Sequence, residues 1–320
     1  MRARVNSIAD DLGYYRARKA TRHGRADSAR VAILYSFDTH WAHSHRLLAP
    51  IARSIDEVLY ERGWFPSVVT FTRDMSAQDL FDRIAHARPA GLISINFSNK
   101  TLFLRLEKSR IPVVLANNLE FQDIFCTVGV DDFQGTNEAA HYLFGLGHRR
   151  IAYFDYPQGT FHPMANRRFF GYKAAIEQAG VEFDETLRVE VDVHDLQRLV
   201  SSISELLSRP DPPTAFMSDD DNLMSSVWHA AETLGVRIPQ DISAIAHGDT
   251  LDYDRIDTPS LTTMRLNAAQ IGTFAAEMLV RRLNHELEET QVVKLKEHMV
   301  DRGSCRDVSL SGATANRRTP

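Results

Sequence analysis

Three consecutive aspartates, Asp219, Asp220 and Asp221, follow the apolar run Ala215-Phe216-Met217, where a strand would hand over to a helix. Carboxylates at the carboxyl end of a parallel strand lie where open α/β sheets bind ligands, and they suit a polar ligand rich in donors. One strand further on, after Ile242–Ala246, the loop His247-Gly248-Asp249 offers a second acidic end. Between them Leu223, Met224, Val227, Trp228, Ala231 and Leu234 recur at helical spacing, and Gly235 with Pro239 beyond it supplies the stop. Residues 212–250 therefore read as one strand–helix–strand unit with carboxylates at both strand ends. An aspartate at a helix start is equally an N-cap. Both roles coexist if one carboxylate caps while its neighbour faces a ligand, and Asp220 is the one read as facing it.

Catalytic readings find less support. Aspartates adjacent on one turn cannot flank a glycosidic bond as a hydrolytic pair must. His40, His43 and His45 are the one close group among thirteen histidines, and such a cluster could chelate a metal or arise by chance. The sequence holds no Gly-rich phosphate loop and no nucleophile elbow. Neither enzymatic activity nor a cofactor or metal is expected. Cys126 and Cys305 lack metal-ligand spacing and read as small buried residues of a reducing compartment, the cytoplasm.

The elements that must position these groups follow from the apolar pattern. At 320 residues, with 43% hydrophobic and 25% charged content, the chain is long for one core and suits two α/β lobes. No apolar run approaches membrane-spanning length, and the Arg-rich start has no apolar stretch behind it, so neither a membrane partner nor a secretory signal is expected. Strands are expected at Val31–Tyr35, Ser67–Phe71, Gly91–Ile95, Pro112–Ala116 and Cys126–Val130, with amphipathic helices between them and Gly135–Leu146 as the next helix. The alternation restarts at the strand Ile151–Asp155. The helix Ala165–Ala179, the strand Leu187–Val191 and the helix Leu196–Leu207 lead into the acidic unit, and the helix Ala268–Leu283 and one strand, Val292–Val300, close the chain. The expected fold class is α/β, with two consecutive doubly wound parallel-sheet lobes. The tail from Arg306 has almost no apolar content.

Charge is split along the chain. Residues 1–30 carry eight Arg or Lys against three Asp, whereas the remainder has 29 basic and 39 acidic residues. A basic arm on an acidic body suits contact with phosphates through the arm, although a solvated terminus would look the same. Within the arm, Val5, Ile8, Ala9 and Leu12 share one helical face too short to stand alone.

Several blocks in order resemble the lactose-repressor/galactose-repressor (LacI/GalR) family of bacterial transcription regulators, over residues 2 to about 305. They are Val130-Asp131-Asp132 with Gly135, Gly147-His148-Arg149-Arg150-Ile151, Arg168-Phe169-Phe170-Gly171-Tyr172 and Pro213-Thr214-Ala215. Ile238-Pro239-Gln240-Asp241-Ile242-Ser243, Pro259-Ser260-Leu261-Thr262-Thr263 and Arg302-Gly303-Ser304 follow. The resemblance implies a type I periplasmic-binding-protein-like pair of lobes that binds a small effector, a sugar or sugar acid, and passes a change of lobe geometry to operator DNA through a homodimer. It also makes residues 2–14 similar to the last helix of the family's DNA-binding module, so that Met1 falls after both helices of the helix-turn-helix and the module is incomplete, either truncated or with a misassigned start. Tyr15 stands where the family has Pro, and the Lys19–Arg22 region lacks the Leu that wedges into the minor groove.

The expected segments are residues 1–29 for the module remnant and linker, 30–157 plus 265–290 for one effector-binding lobe, 158–264 plus 291–305 for the other, and 306–320 for a disordered tail. By the resemblance Arg168 forks onto ligand hydroxyls or a carboxylate, and Asp220 and Asp221 match the family's Asn-Asp pair. Asp249 remains from an aromatic-Asp-Asp loop in which Gly248 replaces a carboxylate, which favours an acidic sugar over a neutral hexose. Phe37, Trp41, Asn96 and Asn117 complete the expected effector site at the strand ends of the first lobe. His247 could donate to an acidic effector, Asp131 reads as a helix cap, and His148 as structural. A free-standing periplasmic-type sugar-binding protein is the alternative reading of the same fold.

Overall fold

The computed structural model describes residues 29–36, 45–71, 75–157, 165–193 and 195–309. The expected module remnant, Phe37, Trp41, His40, His43 and the tail beyond residue 309 lie outside them. The first half of the chain runs β1 (Arg30–Ser36), α1 (His45–Glu61), β2 (Phe65–Phe71), α2 (Ala77–His86), β3 (Gly91–Ile95), α3 (Lys100–Lys108), β4 (Val113–Ala116) and β5 (Cys126–Val130). It continues with α4 (Asp132–Gly145), β6 (Ile151–Asp155), α5 (Ala165–Gln178), β7 (Arg188–Glu190), α6 (Leu196–Leu207), β8 (Ala215–Ser218), α7 (Asp221–Thr233) and β9 (Ser243–Gly248). The last elements are β10 (Thr262–Arg265), α8 (Ala268–Leu283), β11 (Val292–Leu295) and β12 (His298–Val300).

Two six-stranded sheets result, ordered β11-β5-β4-β3-β1-β2 and β12-β10-β9-β8-β6-β7. Every pairing is parallel except β10 with β12. The central strands β3, β4, β5, β6, β8 and β9 are buried at every position because helices cover both faces of each sheet, so they read as apolar runs and not as alternation. Side-chain oxygens start the helices: Ser76 accepts from the Asp79 amide, Asn99 from Leu102 and Asn267 from Gln270. Among the described residues no helix is long and apolar enough to cross a membrane.

The chain passes between sheets three times, and these crossings differ from the expected segments. After β5 the helix α4 packs with α5 on the second sheet, in a core of Leu143, Phe144, Tyr153, Phe169, Tyr172 and Ile245. After β10 the helix α8 returns to the first sheet and packs against α1. The single strand expected over Val292–Val300 is two strands: β11 pairs with β5, and β12 pairs with β10 after the break at Lys296-Glu297. The residues of α4 and β6, expected in the first lobe, therefore sit with the second, and β11, expected in the second, sits with the first. Periodicity shows which residues are buried but not which sheet receives them. All three crossings leave from carboxyl ends of strands, so the lobes meet at those edges and the space between them is lined by the loops that follow the strands.

The α1–α8 contact depends on Gly272. A Cβ there would lie 2.3 Å from the carbonyl oxygen of Ile51, and that backbone cannot yield without moving α1. Gly272→Ala should therefore lower stability by about 1–3 kcal/mol, the usual cost of overpacking. Gly145, at the end of α4, has nothing within 4 Å of its Cβ position, and Gly145→Ala should leave stability unchanged or slightly raised. Urea unfolding of the two variants checks this, and equal losses would show that the helix contact is not tight.

Candidate functional site

At the first sheet's carboxyl edge the chain turns through left-handed backbone just after β3 and β4. Asn96 has φ +50° and Asn117 φ +54°, a region that asparagine tolerates better than most residues. The Asn117 amide reaches Asn96 Oδ1 at 3.5 Å, and Asn117 Oδ1 is buried with no donor among the described residues. Asn118 braces the same edge, donating to the Phe97 carbonyl at 3.0 Å and accepting from the Glu120 amide at 2.8 Å.

At the second sheet's edge the three aspartates take three different roles. Asp219 is fully buried, and Tyr153 donates to its Oδ1 at 3.2 Å. Asp220 is half-buried; its Oδ1 caps α7 by accepting from Leu223 N at 2.8 Å, and its Oδ2 accepts from the Tyr156 hydroxyl at 2.9 Å. Burial, with Asp220 alongside, raises the Tyr156 phenol far above its usual range, so it remains a donor. Asp221 points away from this pair. It accepts from the Leu251 amide at 2.9 Å and the Thr250 hydroxyl at 2.7 Å, and also from the Thr250 amide.

Asp249 (φ +65°) is likewise committed, to the Thr263 hydroxyl at 2.7 Å, to Arg302 at 2.6 Å and to Arg265. Burial opposes its ionisation, but these three donors hold its carboxyl below the usual range. Asp221 and Asp249 thus fix the loop after β9, and Gly248 between them is forced small, since a Cβ would lie 3.1 Å from Asp221 Oδ1. Of the eight residues expected to bind an effector, the structure brings Asn96 and Asn117 together at one edge. It places Asp220 and Arg168 at the other, binds Asp221 and Asp249 into the loop after β9, and does not describe Phe37 or Trp41.

Arg168 is 5% exposed, and its guanidinium is held within the protein. Its Nε donates to Asp132 Oδ1 at 2.9 Å and one Nη donates to the Asp219 carbonyl. Asp132 opens α4 at the first crossing. Beside it Thr136 donates to the Asp132 carbonyl at 2.8 Å, and its oxygen lies 2.9 Å from His247 Nε2. The other ring nitrogen of His247 lies 2.8 Å from Oε2 of Glu297, in the third crossing. The Thr136 hydroxyl has one proton, already directed to Asp132, so His247 Nε2 must donate to it.

His247, expected in a loop where it could donate to an acidic effector, is instead fully buried in this belt at the end of β9 with both ring nitrogens engaged, and Glu297 was hidden in the sequence within an apparently continuous strand. Gly135 gives the belt its room: a Cβ there would fall 1.7 Å from Glu297 Oε2. The Asp131 amide bonds the Leu295 carbonyl at 2.9 Å, tying the first crossing to the third. Asp131 also caps α4, and His148 is buried between Thr214 and the Arg306 carbonyl, as the sequence indicates for both.

Among the described residues, Arg46 and Arg167 make contacts from one lobe to the other. Arg46 on α1 pairs with Asp252 after β9, and Arg167 on α5 donates to the Leu119 carbonyl after β4 at 3.0 Å. The first sheet's edge thus carries the Asn96 and Asn117 amides, the second carries the Asp220–Tyr156 pair, and the buried Arg168–Asp132 and His247–Glu297 contacts tie the crossing segments together.

Residues 140–305 match the model of the periplasmic binding protein-like domain. The HTH-type transcriptional repressor PurR of Shigella sonnei is 26% identical over 263 residues, covering 81% of this chain and 76% of that protein. The structure of a transcriptional regulator CelR–cellobiose complex aligns with 25% identity and a TM-score of 0.74, over 94% of this chain and 89% of that one. A LacI family regulator from Enterococcus faecium with bound ribose aligns with 20% identity and a TM-score of 0.70, over 87% and 99% of the two chains.

The belt predicts a pH dependence. Burial pushes the Asp132 carboxyl from its usual 3.8 up to about 6, with Arg168 restraining the rise. A folded carboxyl that holds its proton more tightly than the unfolded one adds stability below about pH 4, and this is lost as pH rises through 6. Relative to the Asp132→Asn chain, the native chain should lose on the order of 3 kcal/mol across that window. Denaturant titrations of both chains from pH 4 to 7 measure it, and parallel profiles would rule it out.

Proposed function

Because the chain belongs to the periplasmic-binding-protein-like family, in its LacI/GalR branch, we propose that it is a transcription regulator, in the sense of a repressor, whose interlobe slot binds a sugar or sugar acid. The observation that carries this is the pairing of opposed polar edges, Asn96 with Asn117 on one sheet and Asp220 with Tyr156 on the other. Amides present a donor and an acceptor side by side, and a carboxylate accepts twice, which is the pattern that neighbouring hydroxyls require. Asn117 Oδ1 is an acceptor that no donor among the described residues satisfies. Arg168 holds the Asp219 carbonyl at the strand end next to Asp220, and Asp132 offsets its charge. Asp221 and Asp249 act at one remove, by fixing the loop after β9 beside the slot.

The same reading gives the effector a way to act. A ligand held by both walls alters the equilibrium between lobe arrangements by its difference in affinity for them. The lobes pass this to operator DNA through the basic residues 1–29 and a second copy of the chain, the relatives' names being those of DNA-binding repressors.

A thermal-shift screen of the full chain against neutral sugars, sugar acids, sugar phosphates and purines tests the proposal. A ligand at a hundred times its dissociation constant adds about 2.7 kcal/mol of stability. Asp220→Asn should weaken the hit by about 10- to 100-fold, the worth of a hydrogen bond to a charged group, while leaving the ligand-free melting temperature within a few degrees. Asn96→Ala should weaken it too. A hit that binds both variants as tightly as the native chain would place the ligand elsewhere. A hit that leaves the affinity for promoter DNA unchanged would remove the regulatory role and leave a sugar-binding protein.

A further inference from the structure

The opposite end of the first lobe carries a hollow that the effector slot does not use. It lies at the amino-terminal edge of the first sheet, beside the start of β5, and is lined by Leu104 and Glu107 from α3, Ile124 and Phe125, and Glu288 and Glu289. Its volume is about 180 Å³, below the roughly 300–1,000 Å³ of small-molecule pockets, so it accommodates one side chain better than a sugar. Leu104 and Ile124 are 38% and 39% exposed at its rim. Glu107 is neutralised by Arg282 in a two-pronged pair at 2.7 and 3.2 Å, whereas residues 284–291 (NHELEETQ) bring three more glutamates and no Lys or Arg. The feature is apolar inside and acidic outside.

We propose that this hollow is the docking site of the chain's own basic arm, with Tyr14 or Tyr15 seated on Leu104, Ile124 and Phe125 and the following cations against Glu288 and Glu289. Residues 14–25 (YYRARKATRHGR) hold two adjacent tyrosines, then Arg16, Arg18, Lys19, Arg22 and Arg25, and no acid. The apolar-then-basic order complements the apolar-then-acidic hollow. The reach is sufficient. The arm joins the body at Ala29, whose carbonyl accepts from the Phe65 amide at the same sheet edge. β1 and β5 are three strand spacings apart, roughly 14 Å. Fourteen peptide units separate Tyr15 from Ala29, and a random coil of that length spans roughly 20 Å.

Docked in this way, the arm's cations are held by the protein's carboxylates and are not available to phosphates. Docking and nucleic-acid contact become alternatives that salt and local phosphate set against each other. The contact itself does not depend on the effector reading.

Chymotrypsin, which cuts after Tyr14 and Tyr15, reads the contact in the full chain through the appearance of the shortened product by mass. At low salt the native chain should be cut on the order of fivefold more slowly than one carrying Glu288→Lys and Glu289→Lys, the effect expected of two exposed ion pairs. High salt should abolish the difference. Both glutamates are exposed, so an unchanged melting temperature confirms that the variant is folded. Arg16→Glu with Arg18→Glu should speed cutting as well, and combining all four changes should restore protection. Equal rates in native and variant chains, persistence of the difference in high salt, or failure of the four-fold variant to regain protection would overturn the proposal. Protection that grows with protein concentration would give the arm to a second copy and overturn the intramolecular contact.

Discussion

The arrangement of the two lobes depends on a belt of buried charge at their junction. Arg168 with Asp132, and His247 with Glu297, lie in protein with almost no access to water. An ionised group so placed costs several kcal/mol to desolvate, and the cost is offset only while its partner stays in hydrogen-bond geometry. Asp132 and Glu297 each sit in a segment that crosses between sheets, so neither can move without breaking a buried hydrogen bond. The bond from the Asp131 amide to the Leu295 carbonyl adds a backbone link between the same two crossings. Such a belt adds little net stability compared with an apolar filling of equal volume. It restricts how the two crossing segments can sit against each other.

The belt explains details that look arbitrary singly. Gly135 is bare on one side because Glu297 occupies the space of a side chain. Thr136 is needed for its hydroxyl, which turns one donor toward the Asp132 carbonyl and leaves an acceptor for His247. Arg168 does two things with one planar group, neutralising Asp132 and holding the Asp219 carbonyl at the strand end next to Asp220. The geometry of the slot wall is thereby coupled to the junction behind it.

Much of this architecture is legible in the sequence, and the unread part has a physical cause. Apolar runs such as Ile151–Asp155 and Ala215–Met217, and the cap Asp131, are local features set by neighbours in the chain. The destination of α4, β6 and β11 is a long-range property, and apolar periodicity is the same whichever sheet receives the strand. Glu297 escaped notice because a single acid between Leu295 and His298 looks like the outward face of one strand, when it marks the break between two. The aspartates show the same limit at the scale of atoms. Asp220, Asp221 and Asp249 are equivalent as letters, but Asp221 and Asp249 are bound into the loop after β9 whereas Asp220 caps α7 and accepts from Tyr156.

Stiffness at the junction contrasts with softness at the rim, and the contrast bears on how a small effector could act. The Arg46–Asp252 pair is exposed, with its side chains 52% and 32% accessible, and a pair so placed contributes about 0–1 kcal/mol. The Arg167 contact to the Leu119 carbonyl is one more bond of ordinary worth. The rim therefore holds the two walls together by an amount comparable to a few hydrogen bonds, whereas displacing the belt would expose an unpaired buried charge. A ligand binding both walls needs to favour one lobe arrangement by only about 1–3 kcal/mol to change its population 5- to 150-fold. On the proposed reading, two or three ligand hydroxyls between Asn96, Asn117 and Asp220 would supply that difference without disturbing the belt, and the lobes would move at the rim about a fixed junction.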